Sequence, residues 1–285
     1  MALALWAGLT DGPARAMEPV KAAVPSLDKA LQNGFAPHKA LYDIKLAGTK
    51  SGSQIINITG QMLYEWQPAC DGWISNHRFN LYYEYADSPA MQIQSDFSTF
   101  ESFDGKSFNY TSQKKRDGQI FEELRGQATL DDKGKGEAVY SLPKGLSFDL
   151  PAGTLLPMSH TLAVFENMRQ NKKFFKSVIF DGSDEEGPVE VNAFIGKPVS
   201  MSGSFKKDAK MDARLLASPG HKIRLAFFPM NDPSAPSDYE MNLVMHDNGI
   251  ISDMFIEYDD FSVTQKLVAL ESLADACDPV KPIAQ

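Results

Sequence analysis

A cysteine and a histidine stand seven residues apart in the segment Glu65-Trp66-Gln67-Pro68-Ala69-Cys70-Asp71-Gly72-Trp73-Ile74-Ser75-Asn76-His77-Arg78. These two residue types can form a nucleophile and its general base, provided that they reach hydrogen-bond contact. On one extended strand, a spacing of seven puts Cys70 and His77 on opposite faces and up to ~23 Å apart. No catalytic role is therefore expected for either. His77 shares its parity with Trp73 and Phe79, so it should point inward. There it is either a histidine satisfied by a hydrogen-bond partner or a polar handle inside a cavity.

The second cysteine, Cys277, lies roughly two hundred residues further on, and neither cysteine has the closely spaced Cys or His companions of a zinc or redox site. In an exported chain an even pair favours a disulfide between Cys70 and Cys277, the alternative being two unpaired buried thiols. His38, His160, His221 and His246 show no metal spacing, and no G-x-S-x-G elbow occurs. The acidic run Asp181-Gly182-Ser183-Asp184-Glu185-Glu186-Gly187 lacks the alternating ligands of a calcium loop and reads as a solvated hairpin tip. Neither a metal nor a cofactor is expected. What remains is apolar: Met62, Met91, Met241, Met245 and Met254 share the inward parity with Trp66, Trp73 and Tyr83. They form either a core filled by adaptable thioethers and rings or a groove for a lipid or hydrophobic peptide. Met62, Trp66, Trp73, His77 and Tyr83 are the candidate lining of such a groove.

The elements that must position these residues are strands. Two-residue alternation dominates the chain: Tyr42, Ile44 and Leu46; Ile56, Ile58, Met62, Tyr64 and Trp66; Trp73, Phe79, Leu81, Tyr83 and Tyr85; Met91, Ile93 and Phe97. It continues through Ile120, Leu124, Ala128 and Leu130 to Met254, Ile256 and Tyr258. One-sided strands of this kind suit antiparallel sheets with one buried and one solvated face. Turn signals at Ala47-Gly48, Asp71-Gly72, Asp104-Gly105, Asp117-Gly118, Lys133-Gly134, Asp181-Gly182 and Asn248-Gly249 divide them into sequential hairpins. So many strands should curl on themselves, which predicts an all-β chain forming a single large domain, a β-spiral or open barrel. Pro157 to Gln170 breaks the pattern as a helix, with Met158, Leu162, Phe165 and Met168 at helical spacing, and Ser26 to Leu31 suggests a second short one.

Composition narrows the function classes. A formal net charge of −9 argues against a nucleic-acid surface, and the basic run Lys114-Lys115-Arg116 before Asp117-Gly118 reads as a solvated hairpin end. No apolar stretch is long enough for a transmembrane helix. Ala2 to Leu9 is a short apolar run, and Ala14-Arg15-Ala16 fits a small-x-small cleavage site. Residues 1–16 therefore read as a signal peptide, truncated at its start because the usual basic residues are missing, with 17–285 as the exported domain.

Several segments together resemble the periplasmic cell envelope integrity protein EipB family. They are Gly60-Gln61-Met62-Leu63-Tyr64-Glu65-Trp66 with Cys70-Asp71-Gly72-Trp73 and Arg78-Phe79; Ser98-Thr99-Phe100-Glu101 through Asp104-Gly105-Lys106-Ser107-Phe108; and Leu150-Pro151-Ala152-Gly153-Thr154-Leu155 through Pro157 and His160. Phe180-Asp181-Gly182-Ser183-Asp184, Ile195-Gly196-Lys197-Pro198 and Asp238-Tyr239-Glu240 through Asn248-Gly249 to Tyr258 complete the set. The resemblance implies a periplasmic domain of Gram-negative envelopes, folded as a spiral of about fourteen antiparallel strands. It also implies a disulfide between an early cysteine and one near the C-terminus, the positions of Cys70 and Cys277. The implied role is non-enzymatic support of envelope integrity and resistance to envelope stress, with other periplasmic or envelope proteins as partners. The alternative is a carrier of a lipid or hydrophobic peptide. Leu156-Pro157-Met158 departs from the family pattern, in which an aromatic and a threonine are more usual.

Overall fold

The computed structural model describes residues 34–199, 210–230 and 234–274. The first half is a run of antiparallel hairpins: β1 (His38–Thr49), β2 (Ile55–Pro68), β3 (Gly72–Tyr85), β4 (Met91–Ser102), β5 (Ser107–Arg116), β6 (Gln119–Leu130), β7 (Gly136–Leu142) and β8 (Ser147–Leu150). A two-residue strand β9 (Thr154–Leu155) and the helix α1 (Pro157–Arg169) come next. The second half is β10 (Phe174–Ile179), β11 (Val189–Val199), β12 (Gly220–Pro229), β13 (Tyr239–His246), β14 (Ile251–Glu257) and β15 (Phe261–Ser272).

All fifteen strands belong to one sheet, in the order β8 to β1, then β15 down to β9. The sheet edges, β8 and β9, are consecutive in the chain, so the sheet curls until its ends meet. The seam is staggered. Gly153 and Thr154 donate their N–H groups to Lys133 and Gly134 in the turn after β6, at 2.8 and 3.1 Å, while β9 itself pairs in parallel with β10. The result is an open, barrel-like spiral, as its alternating strands require. Among the described residues there are fifteen strands, against the expected about fourteen, counting the two-residue β9.

Because neighbouring strands are antiparallel, their turns alternate between two ends. One end carries the β2–β3 and β4–β5 turns; the other carries the β3–β4, β5–β6 and β14–β15 turns. Asp117-Gly118 forms the expected β5–β6 turn, with Asp117 at φ 50° and Gly118 at φ 82°. Ala47-Gly48 is no turn: β1 runs through it with a register shift against β15.

Two residues placed inward by alternation also face the other way, both at β-bulges. The register shift between Ile55 and Asn57 turns Ile56 outward, 59% exposed, and buries Ile55 instead. A shift at Lys114/Lys115 does the same to Ile120, 53% exposed. An extra residue reverses the face of every residue after it, so parity read across a bulge inverts. The signal-peptide segment and the helix expected at Ser26 to Leu31 lie outside the described residues.

Candidate functional site

The helix predicted from Pro157 forms as Pro157–Arg169. Most of its residues are buried, Met158, His160, Leu162, Val164, Phe165 and Met168 among them. A helix apolar on nearly all sides belongs inside a protein, and α1 sits at the end of the spiral that carries the β2–β3 turn. Three contacts fix it there. Trp66 of β2 donates its indole N–H to the Met158 sulfur at 3.0 Å. Phe165 meets Phe35 edge to face at 4.8 Å. The Glu101 carboxylate of β4 accepts the N–H groups of Met158 and Ser159, at 2.7 and 2.8 Å, and the Ser159 hydroxyl at 2.6 Å. No side chain within the helix caps its start; Glu101 supplies that function from the sheet wall, where a negative group also suits the helix dipole. Burial nevertheless pushes the Glu101 carboxyl up to about 7, against the lowering effect of its three donors.

This arrangement explains the two tryptophans. Trp66 and Trp73 stack at 5.0 Å and are both 2% exposed, and Trp73 meets Phe103 edge to face at 5.1 Å. With Met62 they belong to the larger packed core, which also takes in the buried face of the helix. A second core, built on Phe108, Tyr110, Leu124, Tyr140 and Phe180, fills the interior along β5 to β8.

Between these two cores the inward rows of β3 and β4 are covered less completely. His77, Phe79, Leu81 and Tyr83 face Phe97, Ser95, Ile93 and Met91 across the ladder, and all eight are partly exposed. His77 packs against the rings of Tyr64 at 4.8 Å and Phe97 at 6.0 Å, and forms no hydrogen bond among the described residues. Burial depresses its pKa to about 4, so its imidazole is neutral at pH 7. The same cause raises the Tyr83 hydroxyl to about 12, with Tyr258 and Tyr85 adding to it. Both groups are thus desolvated by the protein around them although neither side chain is fully covered.

Among the sequence-derived candidates, the structure thus brings Trp66 and Trp73 together at the plugged end, while Met62 lies opposite Phe79, beyond the level of His77. His77 and Tyr83 lie further along β3 towards the open end. Cys70 stands apart, exposed in the β2–β3 turn, where Ala69 donates its N–H to Gly72 at 2.7 Å. Its proposed partner Cys277 lies outside the described residues. The β3 strand carries His77 away from Cys70 and into the interior, so the two form no dyad.

The acidic run is not a solvated tip. Gly182 is buried against the Tyr110 ring, and Tyr140 donates its hydroxyl to the Asp184 carbonyl at 2.6 Å, so the loop folds into the spiral and leaves only Glu185 and Glu186 well exposed. Glu101 is absent from the sequence-derived candidates, although its parity with Phe97 places a carboxylate inward. His246 lies 3.0 Å from the Ser252 hydroxyl and 2.9 Å from the Ser218 carbonyl. His246 and Ser252 are both buried, so that contact offers no substrate a path. Among the described residues no His, Cys, Asp or Glu cluster could hold a metal ion, and no helix is long and apolar enough to cross a membrane.

A curled antiparallel sheet, plugged at one end by a buried helix and lined by aromatic residues towards the other, defines a β-barrel-like protein. The chain belongs to the EipB-like family, whose model matches residues 29–274. The cell envelope integrity protein EipB of Brucella abortus (strain 2308) is 30% identical over 243 residues, covering 83% of this chain and 84% of that protein. The crystal structure of a β-barrel-like protein of domain of unknown function DUF1849 from Brucella abortus is 29% identical, with a TM-score of 0.77 over 84% of this chain and 99% of that one.

Proposed function

We propose that this chain is a periplasmic protein that supports the integrity of the cell envelope without catalysis, as a structural or interaction module. The 30% identical relative named for envelope integrity supports the role. The observation that carries the non-catalytic reading is the setting of His77. It is neutral, enclosed by the Tyr64 and Phe97 rings, and has no carboxylate or nucleophile within hydrogen-bond reach among the described residues. A general base needs such a partner or a substrate proton within reach. The test is incubation of the purified, oxidised protein with peptidoglycan and with phospholipid vesicles. The reading predicts no turnover; release of muropeptides or fatty acids above a heat-inactivated control would overturn it.

A specific observation favours a second reading, in which the module carries a lipid or hydrophobic peptide. Phe79, Leu81, Tyr83, Met91 and Ile93 keep apolar surface uncovered on the inner face of the sheet, whereas an interior without a ligand is normally packed closed. Native mass spectrometry of protein purified from its own envelope tests this. A co-purifying apolar species lost on Leu81→Trp, which fills the strip, is expected. A bare protein mass for the wild type would count against a carrier.

A further inference from the structure

The open end of the spiral carries a continuous chain of rings from both halves of the sheet. Phe227 stacks on Tyr239 at 4.3 Å, Tyr239 meets Tyr258 at 5.9 Å, Tyr258 meets Phe261 at 4.8 Å, and Phe261 meets Tyr83 at 6.4 Å. Tyr83 in turn belongs to the partly exposed inner strip of β3. The rings therefore join the mouth to the apolar interior.

Beside Phe227 and Tyr239 the charges are acidic, while at the Phe261 end of the chain of rings Lys50 is held by Glu257 at 3.7 Å. Asp238 precedes Tyr239 and donates its backbone N–H to the Phe227 carbonyl at 2.8 Å, which pins it beside the first ring. Asp181 and Asp184 arrive on the loop that folds inward against Tyr110 and Tyr140. The Tyr239 hydroxyl is held well above its ordinary value, first by burial and then by Asp181, Tyr258, Asp184 and Asp238. None of the three carboxylates forms an ion pair among the described residues, and burial and the Asp184 charge raise both Asp181 and Asp238. The neighbouring Lys114 is held by Glu122 at 2.6 Å, with the Ser183 carbonyl at 3.4 Å.

Resting on the carrier reading above, we infer that the ligand is an amphiphile whose chain lies along the β3–β4 strip and whose cationic amine or quaternary ammonium end sits among Tyr239, Tyr258 and Phe261 beside Asp184 and Asp238. Aromatic faces attract a cation through their quadrupoles, most strongly when it is partly desolvated. The uncompensated carboxylates add the complementary charge and repel a phosphate or carboxylate end. An apolar wall alone would accept any chain; the rings and carboxylates select its end.

The experiment compares three probes of equal chain length, dodecyltrimethylammonium, dodecyl maltoside and dodecanoate, by calorimetric titration below their micelle concentrations. The cationic probe should bind the wild type on the order of tenfold more tightly than the maltoside. Asp184→Asn/Asp238→Asn should abolish that preference while retaining the maltoside. Leu81→Trp should block all three. The outer-face control Glu137→Gln/Asp149→Asn should keep the preference, because those carboxylates are exposed on β7 and β8. Equal binding of the three probes, or a preference for dodecanoate, overturns the cationic end and leaves the carrier reading standing. A preference lost equally in the outer-face control, or insensitive to Leu81→Trp, reduces it to surface attraction and overturns it. Binding of none of the three overturns the carrier reading itself.

Discussion

Glu101 reaches across the interior from β4 to Ser159 in the first turn of α1, accepting both its N–H and its hydroxyl, at 2.8 and 2.6 Å. A single carboxylate thus takes up the first N–H groups of the plug helix from the wall of the spiral. Replacing it by alanine strands the Met158 and Ser159 N–H groups in a buried site. At pH 5, where the carboxyl is protonated in the folded protein, Glu101→Ala should cost about 3 kcal/mol, and Glu101→Gln, which keeps one acceptor, about 1 kcal/mol, both read from urea unfolding.

The same carboxyl makes stability depend on pH. Its folded value of about 7 lies above the ordinary 4.5 because burial outweighs the donors. A raised folded pKa contributes stability that is complete below the unfolded value and lost as pH rises through the folded one. Between pH 5 and 8 the wild type should therefore lose up to about 3 kcal/mol relative to Glu101→Gln. Parallel curves for the two proteins would contradict this.

Histidines act in the opposite direction. Burial depresses His77 and His160 to about 4, below the ordinary 6.5. Their contribution is present above pH 6.5 and is lost as pH falls towards 4. His77→Phe, an apolar ring facing Tyr64 and Phe97, should leave stability at pH 7.5 within about 1 kcal/mol and flatten the loss towards pH 4.5. Thermal melts across that interval measure it.

Much of the fold was legible because the period-two alternation is rarely interrupted. Trp73, Phe79, Leu81, Tyr83 and Tyr85 point inward as their parity requires, and Pro157 opens the one helix among the described residues. The errors sit where local geometry departs from that period, at the bulges that turn out Ile56 and Ile120. The candidate site was only half legible. A parity pattern marks which residues face inward, but it cannot say which of them another element will cover. Trp66 and Trp73 disappear beneath α1, whereas His77 and Tyr83, on the same strand face, remain partly open. The acidic loop misled for a related reason. Its charges suggest solvent, while Gly182 lets its backbone approach the Tyr110 ring.

That approach is directly testable. Gly182 has φ 65°, and a Cβ there would lie 2.6 Å from the ring of Tyr110. Gly182→Ala should destabilise by about 2–3 kcal/mol through backbone strain and overpacking. It should also release the Tyr140 hydroxyl from the Asp184 carbonyl, visible as increased proteolysis within residues 181–188. An unaltered melting temperature would contradict the inward packing of this loop.

The proposed Cys70–Cys277 disulfide makes a distinct prediction. Closing so long a loop stabilises by up to about 5 kcal/mol in the chain-entropy account. Cys70→Ser and Cys277→Ser should lower stability equally, the double variant should be no worse than either, and reductant should affect only the wild type. Unequal single effects or additivity would leave the two sulfurs unlinked.

The most direct test of the central claim, that this chain supports the envelope by binding and not by catalysis, is complementation with His77→Phe. In a strain lacking the chromosomal copy, survival under detergent and cell-wall stress would be measured with wild type and variant expressed at equal levels. Restored survival with the variant is predicted, because the imidazole is neutral and has no hydrogen-bond partner among the described residues. Loss of protection by a variant shown to fold normally would make His77 a chemical participant and contradict the account.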